Sequence, residues 1–565
     1  MVQTLFLLLP IASLGLYIYR EKTKISIIKS LIVLGLIFLC AVLMSGSTKG
    51  KGILERLVPF IGLIGGYIYA LVLGFNKSIK KGSSKLTKEQ KAEAFSFTAK
   101  GKDLSIINPF RGVLIVGGAG SGKSRTFMYP IIKQCAEKNY TGVLYDFKSP
   151  ELMNLAEQCY KHYGSTVKIA KIDFKNPNNS QRTNPLAYVQ SAIHATNYSQ
   201  AFIFNLMPEY IQKQDFWSRS MLSIFAGAIW YFKKNRPELA TLPHIFAFFF
   251  TASAKEIVKI LSQDNEVKGY ISSLAEAVEQ GAEKQVAGVL GTLKNAIGIY
   301  NTPDIFWLLS SDDTNLNVND PKNPTMLLIG NNSALADSYA PLCSLIITVC
   351  SKLMNEPNKE KSAIIIDESP TIYLPNFEQI PATARSNKVA VIVGAQDISQ
   401  MNDKYGTDKT EVLISNLGNQ FYGRTTNRET ADRVVKMFGQ REDVVQMKSS
   451  KRKVLFYMNN SKSESIQKRD RIKIQQMTTL NAGQFAGIMA EGSNKEFLET
   501  IDLQKMPPEK METFDNGYSL NRATGYFDSI YNEINTFLGK RETVADKIEK
   551  RQRKGGYGRI TDMDF

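Results

Sequence analysis

The sequence predicts an α/β protein with a parallel-sheet core, interrupted by an all-helical segment and preceded by three transmembrane helices. Three observations carry that reading. The apolar run Val113–Val116 leads directly into the glycine-rich stretch GGAGSGKS (117–124) and then into a helix-like pattern, the strand, loop and helix order of parallel α/β sheets. Short apolar runs bounded by turn-forming or charged residues return at 325–329, 363–366 and 389–393, after long helical patterns between about 197 and 310. The first eighty residues hold three apolar stretches that approach or reach the length needed to cross about 30 Å of hydrocarbon.

The chain has 565 residues, enough for two or three domains, and a formal net charge of +17. A basic balance points to an anionic partner, nucleic acid or lipid head groups, and is also common in membrane proteins with cytoplasmic domains. Cys40, Cys135, Cys159, Cys343 and Cys350 form no C-x-x-C pair, and His162, His194 and His244 are the only histidines. This argues against a zinc site or a disulfide framework and for a reducing compartment.

The apolar spans run from about 2 to 19, 25 to 45 (interrupted only by Lys29) and 57 to 75, and define a membrane anchor over 1–76. The first has no basic region before it and no small-residue cleavage site, so it reads as retained rather than as a cleaved signal peptide. Linker 77–100 carries Lys77, Lys80, Lys81, Lys85, Lys88 and Lys91 with few acids. By the positive-inside rule that side is cytoplasmic, with the large C-terminal part inside and the N-terminus outside. The lysines also suit anionic lipid.

The sheet-forming domain begins in 101–196, with a strand at 113–116, a helix over 124–137 and a second strand from Thr141 to Tyr145 ending in Asp146. Segment 197–310 is read as an all-helical insertion. Its pattern DFWSRSMLSIFAGAIWYFKK (215–234) raises a fourth span as an alternative, but only 13 uncharged residues separate Arg219 from Lys233, which favours a buried helix. The sheet domain resumes over 311–505. Within it, 444–476 reads as irregular and basic, and 506–565 as a polar tail, disordered in part from Lys540.

The chemistry centres on residues 117–124, whose spacing is G-x-x-x-x-G-K-[ST]. Glycines at these positions let backbone N–H groups approach phosphates, while the following helix points its N-terminus at them. Gly117, Gly118, Ala119, Gly120, Ser121, Gly122, Lys123, Ser124 and Arg125 are therefore candidate nucleotide contacts. Lys123 would reach the β and γ phosphates and Ser124 would offer its hydroxyl to Mg²⁺. The alternative is a plain glycine turn. In SAIIIDES (362–369) an apolar strand ends in two acids, Asp367 for the Mg²⁺ shell and Glu368 to polarise an attacking water. Asp367 comes 367 − 123 = 244 residues after Lys123, and the helical insertion accounts for the distance. Gln396 ends the neighbouring strand and suits sensing of the γ-phosphate, or is a surface turn residue. Arg385 precedes that strand and suits a finger reaching into a neighbour's nucleotide site, or simply offsets a helix dipole; Arg424 is a weaker rival.

The apolar N-terminal spans, GGAGSGKS, YDFKSPEL (145–152), RTNPL (182–186), IIIDESPTI (364–372), ATARSNKVAVIVGAQDISQM (382–401) and LISNLGNQFYGRTTNRETADRV (413–434) together resemble the type IV coupling proteins of conjugation, the TraG/TraD type. The resemblance covers 108–494 and is most specific over 364–401. It implies a RecA-like P-loop NTPase domain interrupted by an all-helical domain and assembled as a homo-hexameric ring at the inner membrane. It implies ATP and Mg²⁺ as cofactors, Lys123 and Ser124 as the nucleotide-loop pair, Asp367 and Glu368 as the catalytic acids, Gln396 as sensor and Arg385 as a finger in trans. Asp146 and Lys148 match a second strand-end motif near the nucleotide. The chain has Asp146-Phe147-Lys148 where the family usually has D-P-K, and Asp367-Glu368-Ser369-Pro370 where it usually has D-E-F-P; the charged positions survive.

The function so implied is an ATPase that passes relaxase-bound DNA, gripped without regard to sequence and as a single strand, into a type IV secretion channel. The basic residues between Lys448 and Lys473 are candidate DNA contacts. Alternatives are an ATPase that exports protein effectors without DNA, and a non-catalytic membrane scaffold that binds nucleotide. A chromosome-segregation translocase is less favoured, because no compact winged helix follows the motor.

Overall fold

The computed structural model describes residues 87–99, 102–453, 457–492, 495–503 and 516–540. The three apolar spans, residues 77–86 and 100 of the lysine-rich linker and the tail beyond 540 lie outside the described residues.

The chain enters through a short hairpin, β1 (Phe95–Ala99) and β2 (Lys102–Ile106). The main sheet uses β3 (Val113–Val116), β4 (Thr141–Asp146), β5 (Lys168–Asp173), β6 (Thr325–Gly330), β7 (Ser362–Ile366), β8 (Val389–Ala395) and β9 (Asn419–Tyr422). It is completed by β12 (Gln484–Ile488) and β13 (Glu496–Thr500), in the order β13-β12-β9-β3-β8-β7-β4-β6-β5. From β9 to β5 every pairing is parallel, so seven strands end on one edge; β12 and β13 extend the sheet antiparallel beyond β9. The strands read from the sequence at 113–116, 141–146, 325–329, 363–366 and 389–393 all lie in this sheet.

The central strands are covered on both faces, which is why they read as unbroken apolar runs instead of alternating ones. Leu114, Val116, Ile364, Ile366, Val391 and Val393 point into one core, and Val113, Ile115, Ala363, Ile365, Ala390 and Ile392 into the other. The second core is closed by the helix Tyr129–Glu137 and by Phe127, which stacks on Phe421 at 4.5 Å.

From Ala192 to Leu308 the regular structure is helical throughout. Its core is continuous with one face of the sheet, around a ring cluster in which Phe202 meets Phe225 at 5.2 Å and Tyr300 at 5.5 Å. The stretch weighed as a fourth span is the helix Phe216–Asn235, started by an Asp215 and Ser218 capping box and packed within this cluster. Among the described residues no helix is long and apolar enough to cross a membrane.

Two segments differ from the sequence reading. Residues 444–476 are not irregular: β10 (Gln440–Lys453) and β11 (Tyr457–Asp470), 14 residues each, pair antiparallel from Gln440↔Asp470 to Lys453↔Tyr457. The run 446–453 lacks the apolar alternation of a half-buried strand, so it carried no strand signal. Within 506–565, Leu520–Phe537 is a helix that buries Ala523, Ile530 and Ile534 and lays Phe527 on Phe306 at 4.8 Å. Its apolar residues recur at helical spacing, diluted by the polar residues that made the segment look like a tail.

Candidate nucleotide-binding site

The loop that follows β3 is shaped by glycine. Gly120 and Gly122 have φ of +73° and +91°, a region that L side chains rarely adopt, and a Cβ on Gly122 would stand 2.9 Å from the backbone nitrogen of Gly483. The loop is then held from outside. Gly117 N–H donates to Ala395 O (3.1 Å), Gly118 N–H to Arg424 O (2.9 Å), and Gly483 N–H to Ser121 O (2.9 Å). Among the described residues the N–H groups of Gly120, Gly122 and Lys123 have no protein acceptor, which leaves a cluster of donors at a helix start. A π turn, Ser124–Met128, opens that helix.

Because the strands are parallel, the ends of β3, β4, β7 and β8 bring the remaining groups to the same edge. A cleft of about 300 Å³ is lined by the loop from Gly117 to Arg125 and by Tyr129, Lys148, Glu151, Asp367, Glu368 and Gln396. In the sheet β8 lies between the loop strand β3 and the acid strand β7. Lys123 Nζ donates to Glu368 Oε2 at 3.0 Å, and the backbone N–H of Gln396 donates to Glu368 Oε1 at 2.9 Å. Both side chains of the ion pair are largely buried. Asp367 is buried beside them. Burial pushes its carboxyl up to about 6; the Lys123 charge pulls against this while Glu368 adds to it.

The chemistry of this donor set fits a nucleotide with its Mg²⁺. Loop N–H groups and Lys123 suit phosphate oxygens, and the Ser124 hydroxyl with the Asp367 carboxylate are hard oxygen ligands of the kind Mg²⁺ takes. Tyr129 and Glu151, which donate and accept one hydrogen bond, were not singled out from the sequence. Burial and that bond hold the Tyr129 hydroxyl well above its usual pKa. Glu151 belongs to the motif YDFKSPEL, so the sequence held a signal for it; Tyr129 looked like any apolar helix residue.

Three other residues sit differently. Asp146 does not line the cleft: its carboxylate accepts the N–H groups of Lys148 (3.0 Å), Leu152 (2.8 Å) and Met153 (3.1 Å), anchoring the helix Glu151–His162. Arg385 is exposed in the 3-10 turn Ala384–Asn387, where β8 begins, while the cleft lies where β8 ends. Seven residues of strand, roughly 20 Å, separate Arg385 from its own chain's cleft. The Arg424 guanidinium instead donates to Ala119 O of its own loop at 3.1 Å.

Burial raises Asp146 from its ordinary 3.8 to about 7, against its backbone hydrogen bonds. The folded state therefore holds a proton that the unfolded chain has lost, and stability from this group falls as pH rises from about 4 to about 7. Asp146→Asn is expected to flatten that fall, read as the thermal midpoint between about pH 5 and pH 8; an unchanged slope would show that Asp146 is ionised throughout.

No curated protein matches this sequence. Among solved structures, the bacterial conjugative coupling protein TrwBdeltaN70 in its unbound form superposes with a TM-score of 0.56 at 14% identity, over 76% of this chain and 93% of that one. The plasmid coupling protein TrwB in complex with ADP and Mg²⁺ gives 0.55 at 14% identity, over 77% and 94%. These likenesses establish the fold. Residues 75–489 match the family model described as type IV secretory system conjugative DNA transfer. With most of its length matched and the loop, acids and sensor position gathered in one cleft, the chain belongs to that conjugative DNA transfer family of type IV secretory systems.

Proposed function

We propose that this protein is an ATPase of the inner membrane, working as a homo-hexamer that couples ATP hydrolysis to the transfer of relaxase-bound, single-stranded DNA into a type IV secretion channel. The observation that carries the catalytic part is the Lys123–Glu368–Gln396 constellation in the cleft at the carboxyl edge of the sheet. Phosphate oxygens compete with Glu368 for Lys123. As Lys123 turns to the γ-phosphate, Glu368 is released to orient and deprotonate the attacking water, with its other oxygen still held by the Gln396 N–H. Mg²⁺, held by Ser124 and Asp367, would neutralise charge on the β and γ oxygens. Lys148 and Arg125 add positive charge to the cleft wall. Arg385 is exposed and without an ion pair among the described residues, which supports reading it as a finger that serves a neighbour's site.

The three N-terminal apolar spans and the lysines after them support an anchored protein with its large part in the cytoplasm. Family membership supports DNA and secretion-channel subunits as partners. A mating assay with the gene deleted and complemented tests the whole reading. Wild type is expected to restore transfer and Lys123→Ala to leave it at the deletion level; undiminished transfer on deletion would sink the assignment.

A further inference from the structure

One stretch of chain runs from the outer braces of the nucleotide loop into the long hairpin and back. After β9 the chain grips the nucleotide loop: Gly423 N–H donates to Val116 O (2.8 Å), Arg424 O accepts from Gly118 and the Arg424 guanidinium donates to Ala119 O. It grips the loop again at Gly483, whose N–H donates to Ser121 O (2.9 Å). Everything between these two holds is one excursion: the helix Arg428–Phe438, β10, β11 and the helix Ile474–Thr478. The excursion is closed at each end, by Thr425 N–H to Met477 O (3.2 Å) beside the cleft and by Arg471 N–H to Gly439 O (3.1 Å) at the hairpin base. The base is tied to the far edge of the sheet by the Arg471–Glu496 ion pair, since Glu496 pairs with Ile488 and Ile488 with Gln420 near the start of β9. These bonds link the nucleotide loop, through one stretch of chain, to the base of the strand pair.

Among the described residues the hairpin is a sheet of two strands, and such a pair is marginally stable in water by itself. From 444 to 463 the sequence carries Lys448, Lys451, Arg452, Lys453 and Lys462 and no acid. The backbone register sets Lys448 opposite Lys462 and Lys453 opposite Tyr457. Cations with an aromatic residue among them suit the phosphates and bases of a single strand.

We propose that β10–β11 is the DNA grip of this motor, a basic hairpin that holds the phosphate backbone of single-stranded DNA and is moved by the nucleotide loop through Arg424 and Gly483. This rests on the DNA-motor reading and names its moving contact. The coupling to the loop favours DNA over a lipid surface, because a lever driven by nucleotide exchange has work to do only on something that travels.

The test uses the full chain as a detergent-extracted oligomer and a variant with Lys448, Lys451, Arg452, Lys453 and Lys462 all changed to Gln. Binding to a fluorescent oligothymidylate is followed over a salt series. Each lost phosphate contact is expected to reduce the salt slope by about 0.7, so five would remove up to about 3.5. DNA-stimulated ATP turnover is expected to fall to the rate seen without DNA. If wild type shows neither DNA affinity nor turnover, the motor reading itself fails. If wild type shows both and the variant keeps the full slope and stimulation, the hairpin assignment alone is overturned. Loss of binding to phosphatidylglycerol vesicles with DNA binding intact would overturn it in favour of a lipid contact.

Discussion

Glu368→Gln is expected to cut ATP turnover by roughly 10²–10⁴-fold while nucleotide still binds. The change is nearly isosteric. A glutamine oxygen can still accept the Gln396 N–H, so the local geometry at the end of β7 has no reason to shift. What is lost is the negative charge and the capacity to take a proton from water. The same change frees Lys123, whose 3.0 Å ion pair with Glu368 competes with phosphate in the unliganded cleft. Binding of a non-hydrolysable ATP analogue is therefore expected to be as tight as in wild type or tighter, whereas Lys123→Ala is expected to lose both binding and turnover. Analogue titration beside a phosphate-release assay separates the two. Turnover by Glu368→Gln at the wild-type rate would remove Glu368 from the reaction and leave the ion pair as a structural contact.

Much of the site was legible because it lies on sheet geometry that a sequence records plainly. Buried parallel strands read as apolar runs, and the residues at their carboxyl ends, Gly117, Asp367 and Gln396, meet by necessity at one edge. Asp146 satisfied the same rule, and yet its carboxylate caps backbone N–H groups rather than facing the cleft. Position at a strand end fixes which edge a side chain reaches, and the local turn decides what it bonds. Gly483 illustrates a different limit: it braces the loop through a backbone contact that leaves no motif, 361 positions from Gly122 (483 − 122). The hairpin was missed because the run 446–453 carries no apolar alternation, and alternation reports burial and not pairing.

Arg385→Ala is expected to lower turnover by roughly 10³–10⁵-fold, the range over which an arginine supplied to a phosphoryl-transfer site acts. Arg385 lies in the turn that precedes β8 and the cleft lies beyond that strand's other end, so within one subunit the arginine sits at the opposite edge of the sheet from its own nucleotide site. A contribution to catalysis must then cross a subunit boundary, which a closed ring with one repeated interface provides. Complementation between two inactive chains decides this. Lys123→Ala subunits retain Arg385 but cannot hold nucleotide, and Arg385→Ala subunits hold nucleotide but lack the arginine. In rings co-assembled from equal amounts, about one interface in four pairs an intact cleft with an intact arginine. Turnover is expected to reappear in the mixed rings and to be absent from each parent. An Arg385→Ala chain that keeps wild-type turnover, or mixed rings as inactive as both parents, would refute a finger acting in trans. Analogue affinity discriminates further. Arg385→Ala should bind within a few-fold of wild type, because the guanidinium is needed when charge develops on the transferred phosphoryl group rather than when the nucleotide docks.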